Sequence, residues 1–171
     1  QQRLPALAWA QTACAAVLFG QAPGAVVQEA LHSLPGDALV CLGEWLDQQL
    51  CPPFIQAPEP VAVLIVVASL MAALQQADLL AEKDRLGRWL SRYKDWAAQI
   101  GEHALRHSKR QEEFTASREQ LLLLVGKRLF HLLATDSHGQ EGWSEEIAAL
   151  EASLEWLLTQ VCYVLPVDPV K

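Results

Sequence analysis

The stretch VAVLIVVASLMAAL, Val61 to Leu74, contains one polar side chain in fourteen residues, Ser69. Its first residues are β-branched, which is typical of a buried strand, so Val61–Val67 is compatible with either a strand or a helix. Nothing breaks the run before Gln75, Pro60 suits the first turn of a helix, and no second strand candidate is available to pair with it. The stretch is therefore predicted to be a helix. Because it is apolar on nearly every face, we expect it at the centre of an all-α bundle.

The residues before this stretch predict three more helices. The first helix is predicted to begin near Pro5 and to end at Gly20, because proline is common in the first turn of a helix and glycine just after the last. A second helix is predicted at 25–33, and Asp37 can cap a third. Four prolines in 51–60 exclude a helix there and predict an extended linker, the only candidate for an internal boundary. At 171 residues the chain suits one domain over 1–171.

The second half of the chain carries a seven-residue apolar pattern that begins near Asp78 and reaches His107. This pattern predicts one long helix with His107 on its packing stripe. We expect a break near Thr115, with a capping box at Ser108 or at Ser117 opening the next helix.

A helix at 118–133 follows, and Ser144 is expected to cap the last one. Residues 166–171 form a predicted non-helical tail. These elements together predict a single compact bundle of six or seven helices.

Charge is divided unevenly along the chain. The net charge is −7, but Lys83 to Arg128 holds eleven of the thirteen basic residues and six acidic ones, a net charge of +5, which leaves −12 for the rest. The acidic total argues against nucleic acid as a partner, because phosphate affinity is supplied largely by Lys and Arg. Two interpretations stay open: the basic segment packs on acidic helices of the same chain, or it presents a basic face to an acidic partner.

Six tryptophans suggest a recognition surface, because Trp is enriched at interaction hot spots. Trp89 and Trp96 lie on the flank of the apolar stripe, among arginines. The sequence therefore predicts an exposed aromatic and basic patch, and Trp143, before the last helix, is a second candidate. The predicted partner-binding residues are Arg85, Arg88, Trp89, Arg92, Trp96 and Trp143.

His103 and His107 lie one helical turn apart and are the candidate metal ligands. A stable site needs about two further ligands, and no spacing in the sequence selects them. No motif of nucleophilic catalysis, phosphate binding or zinc hydrolysis is present, so we expect no cofactor. The four cysteines form no CxxC pair and are interpreted as small core residues of a cytoplasmic protein.

Two functional hypotheses follow. The first is a non-enzymatic protein–protein interaction module, an adaptor or an assembly subunit, whose partner is another protein with an acidic surface or a second copy of the chain. The alternative is a helical protein that binds a small molecule, or a metal through His103 and His107. An enzymatic function is less well supported than either hypothesis. No stretch is expected to be long and apolar enough to cross a bilayer, so a membrane is not expected as a partner.

Overall fold

The computed structural model describes residues 3–49, 61–80, 85–134 and 141–164, with the side chains of 3, 4, 141–144 and 160–164 outside the description. All regular structure in these ranges is helical, which confirms the all-α prediction. The helices are α1 (Arg3–Leu18), α2 (Ala25–His32), α3 (Gly36–Gln49), α4 (Val61–Gln76), α5 (Arg85–Ile100), α6 (Glu102–Arg106), α7 (Gln111–Ala134) and α8 (Glu141–Val164). The predicted linker at 51–60 and tail at 166–171 lie outside the described residues.

Helix α4 occupies the centre of the fold. Every residue from Val61 to Met71 is buried, and α4 contacts α1, α2, α3, α5 and α7. A helix without a polar face needs neighbouring helices on all sides, so the central position of α4 follows from its apolar composition. The hydroxyl of Ser69 donates to the carbonyl of Ile65 at 3.0 Å and thus needs no partner outside the helix. The strand alternative for Val61–Val67 is wrong.

The predicted long helix is interrupted, and the described residues therefore form eight helices, close to the six or seven expected. α5 ends at Ile100 because Gly101 has a φ of 90°, a value that favours glycine. The break expected near Thr115 is wrong, since α7 already begins at Gln111 and contains Thr115. Neither predicted capping box opens α7: the Ser108 hydroxyl oxygen accepts the N–H of Arg110 at 3.0 Å in the turn before the helix, and Ser117 lies inside it.

The acidic last helix, α8, forms an outer layer. It packs mainly against α7, α5 and α6. It begins at Glu141, four residues earlier than a cap at Ser144 predicts, so Ser144 lies inside the helix and does not cap it. The Arg128 guanidinium on α7 binds the Glu146 carboxylate, with Nε 3.0 Å from Oε2. Lys94 of α5 places its ammonium 5.9 Å from the centre of the Trp156 ring. Part of the basic segment is thus matched within the chain, as the intramolecular interpretation of the charge pattern expects.

A polar junction ties the start of α2 to the start of α7. The Gly24 N–H donates to Oε2 of Glu113 at 2.6 Å, and the Arg110 guanidinium donates to the carbonyl of Ala22 at 2.7 Å. Arg110 also binds the Glu113 carboxylate, with Nη1 3.1 Å from Oε1. Charged hydrogen bonds of this kind are among the stronger ones, so the junction fixes α2 against α7.

Candidate interaction surfaces

The tryptophans of the predicted α5 patch are buried. Trp89 and Trp96 are only 7% and 6% exposed, so the prediction that their rings face solvent is wrong. For Trp89 the cause is Gly43 on α3: a Cβ at that position would lie 3.2 Å from Cζ2 of the indole. The glycine leaves a gap into which the ring packs. A glycine inside an apolar helix face is the sequence signal for this contact.

Trp96 is buried because the packing face of α5 is broader than a single stripe. The buried side chains of α5 are Leu86, Trp89, Leu90, Tyr93, Trp96 and Ala97. The flank of the apolar stripe is therefore core, and only the opposite face of α5 is available to a partner. Trp143 lies in the first turn of α8, and its side chain is outside the described residues.

The three arginines of the predicted patch do lie together, at a cleft of about 180 Å³ between α3 and α5. Two of them are already engaged, since Arg85 donates to the carbonyl of Leu79 at 3.0 Å and Arg92 forms an ion pair with Asp47. Arg88 has no ion pair or hydrogen bond with any residue that the structure describes. Glu44 and Asp47 also line the cleft, which reduces its positive potential. Partner binding at these arginines stays a prediction.

The two candidate metal ligands face each other near the end of α6. The ring centres of His103 and His107 are 4.5 Å apart, and both side chains are exposed. His107 was expected on the packing stripe, which is wrong because the break at Gly101 turns the chain away from the axis of α5. Among the described residues no group of three or more metal-binding side chains occurs. The pair is thus an incomplete donor set there.

The described cysteines differ in environment. Cys14 is buried in α1, and burial raises the pKa of its thiol to about 12, whereas Cys41 is exposed on α3, which contradicts its interpretation as a core residue. Since the thiolate is the nucleophile, iodoacetamide at roughly pH 8 should label Cys41 in the native protein and Cys14 only after unfolding. Mass spectrometry of the labelled peptides measures this. Rapid native labelling of Cys14 would show that α1 is not packed as described.

An exposed apolar stripe lies on α7 and was not predicted from the sequence. Leu123, Phe130 and Leu133 lie on the outer face of this helix and are 67%, 74% and 52% exposed. The signal was available in LLLL, residues 121–124, because a helix with one face in solvent cannot bury four consecutive leucines. Leu121 and Leu124 are buried, and Leu123 is left outside. Single exposed leucines are ordinary, but three large apolar side chains on one face mark a candidate contact surface.

Two further clefts lie on the described surface. One of about 410 Å³ lies between α2, α4 and α7, and its lining combines apolar side chains such as Leu31 and Ala73 with polar ones such as Gln28, Glu29 and His32. The other, of about 260 Å³, lies between α5 and α8. Binding of a small molecule stays a prediction.

No protein-family model matches the sequence, and no curated protein or solved structure shows significant similarity to it. None of the described helices combines the length and apolarity required to cross a bilayer.

Proposed function

We propose that the protein is a non-enzymatic interaction module, an assembly subunit that associates through the outer face of α7. The observation that carries this proposal is the exposure of Leu123, Phe130 and Leu133 on one helix face. Exposed apolar area is lost from water when a partner covers it, which contributes roughly 25 cal/mol for each Å². The proposed partner is a second copy of the chain.

The stripe is self-complementary, which supports this choice of partner. Leu123 and Phe130 lie at equal sequence distances on either side of the Gly126–Lys127 peptide bond. In an antiparallel pair of α7 helices related by a twofold axis, each Phe130 would face the Leu123 of the other copy. A Cβ at Gly126 would have no atom within 4 Å, so the centre of this face is open to close approach by a neighbouring helix.

The size of the stripe sets the expected strength of association. Three large apolar side chains form a patch of a few hundred Å² on each copy, below the 1,200–2,000 Å² of total buried surface typical of stable interfaces. We therefore expect a weak and reversible dimer with a Kd on the order of micromolar, as for other small interfaces.

Phe130→Asp should shift the protein to monomer. Removing one buried phenylalanine contact costs roughly 1.5–3 kcal/mol, or about 10- to 100-fold in Kd, and a twofold axis applies the change twice. Sedimentation equilibrium over a concentration series measures the shift. Because Phe130 is 74% exposed, the monomer should keep its Tm within the range of ordinary surface substitutions. A wild-type chain that stays monomeric at every concentration would refute the second-copy partner.

Gly126→Ala separates helix stability from association. Alanine favours a helix over glycine by about 0.5–1 kcal/mol, and space is open at this position, so the Tm should rise while the dimer weakens. Gly87→Ala on α5 is the matched control, because a Cβ there also meets nothing within 4 Å. It should raise the Tm and leave the dimer unchanged. Equal effects of the two substitutions on Kd would argue against close approach at Gly126.

The location we propose is cytoplasmic, as expected from the sequence. It is supported by the cysteine content, because four cysteines without a CxxC pair suit a reducing compartment. An acidic protein partner at Arg88 is compatible with it, because the α3–α5 cleft and the outer face of α7 are formed by different helices.

A further inference from the structure

His103 and His107 expose two imidazole rings at the end of the short helix α6. The ring centres are 4.5 Å apart and the ring planes are inclined by 44°. The backbone supports this pairing, because the His107 N–H donates to the carbonyl of His103 at 3.1 Å and so keeps the two residues one helical turn apart. Neither ring has a hydrogen bond or an ion pair with a residue that the structure describes. Their nitrogen atoms are therefore accessible to a ligand from solvent.

The separation of the two rings fits a single metal ion bound by both. An ion about 2.0–2.1 Å from a ring nitrogen lies roughly 3.2 Å from the centre of that ring. Two imidazoles that meet at the ion at a right angle therefore have centres roughly 4.5 Å apart, whereas a tetrahedral angle requires roughly 5.2 Å. The observed 4.5 Å corresponds to the right angle, which is the angle between adjacent ligands of a square-planar or octahedral ion.

The residues around the pair select the class of ion. In α6 the Glu102 carboxylate binds Arg106, with Oε1 2.7 Å from Nη2, so these two charges offset each other. Lys109 follows the pair in the sequence, but its side chain is exposed and its charge is screened by solvent. The donor set is thus two imidazole nitrogens, which does not suit Mg²⁺ or Ca²⁺, since both take oxygen ligands. Nitrogen donors at a right angle favour Ni²⁺ or Cu²⁺ over tetrahedral Zn²⁺.

We propose that His103 and His107 bind one Ni²⁺ or Cu²⁺ ion in two adjacent coordination positions, with solvent in the others. Because both donors lie on one helical turn, the second nitrogen binds in an intramolecular step, and the pair therefore binds far more tightly than a single exposed histidine. The bound ion links the two residues that begin and follow the last turn of α6, and it thereby stabilises the connection between α5 and α7. The site is independent of the proposed self-association, which uses side chains of α7.

Calorimetric titration of the full chain with NiCl₂ measures the affinity at about pH 7.5, where free imidazole is mostly neutral. Ni²⁺ is the probe because the exposed thiol of Cys41 can reduce Cu²⁺. His103→Gln and His107→Gln should each weaken binding by about 100-fold, as expected when one of two linked donors is lost. His32→Gln on α2 is the matched control, because this histidine is also exposed, and it should bind Ni²⁺ like wild type. Cys41→Ser should likewise leave the affinity unchanged.

Thermal denaturation gives a second readout, since an ion that binds only the folded chain raises the Tm by mass action. Ni²⁺ should raise the Tm of wild type and of His32→Gln but not that of His103→Gln or His107→Gln, and all four should melt alike without metal because the replaced side chains are exposed. The proposal is overturned if wild type does not bind Ni²⁺, or if the two pair variants bind it as tightly as wild type. Tighter binding of Zn²⁺ than of Ni²⁺ by the pair would overturn the right-angle geometry.

Discussion

Truncating Leu70 to alanine should lower the free energy of unfolding by about 2–5 kcal/mol, the range for deletion of a fully buried leucine side chain. Leu70 is 0% exposed and lies in α4, which is enclosed by five other helices. Its Cδ2 lies 3.6 Å from the position of a Cβ at Gly43 on α3. Since neighbours hold α4 on every side, the cavity cannot collapse easily, and we expect a value in the upper half of this range.

Chemical denaturation monitored by tryptophan fluorescence measures this loss. Leu158→Ala on α8 is the matched control, because it deletes the same atoms from a side chain that is 51% exposed. It should cost less than about 0.5 kcal/mol, as is usual at the surface. If the two substitutions cost the same, α4 would not be the centre of the fold.

The position of α4 could be predicted from sequence because its composition permits only one environment. The helix ends after it were harder to place. The seven-residue pattern continues through Gly101 without interruption, so hydrophobic periodicity gives no sign of the positive φ that ends α5 there. Glycine is compatible with a helix as well as with its end, and the packing around it decides between the two.

The candidate sites could be predicted less well than the fold, for a physical reason. The arginines around Trp89 line one cleft, but the burial of the indole depends on Gly43, forty-six positions earlier in the chain. Arg118 sits in REQLLLL with charged neighbours and has the sequence context of a surface residue. It is nonetheless buried, because α7 packs against both α4 and α8, which no local pattern records.

Gly24→Ala, at the junction where α2 meets α4 and α7, should destabilise the protein by about 1–3 kcal/mol, as overpacking does. The added carbon would lie 2.9 Å from Cγ2 of Ile65 and 3.1 Å from Oε2 of Glu113. Ile65 belongs to the buried face of α4 and has no room to retreat. Glu113 is the freer neighbour, but its movement would break the 2.6 Å bond from the Gly24 N–H.

Thermal and chemical denaturation should show that the same substitution changes stability in opposite directions: Gly24→Ala lowers it and Gly126→Ala raises it. Gly126→Ala gains helix propensity in open space, whereas Gly24→Ala meets two neighbours. Glu113→Ala then tests the mechanism, because it loses the junction bond but also removes one of the two obstacles. The double variant should therefore be more stable than the sum of the single effects predicts, by about 0.5–3 kcal/mol of coupling. Strict additivity would mean that Ile65 alone opposes the new methyl group and that Glu113 does not fix α2 against α7.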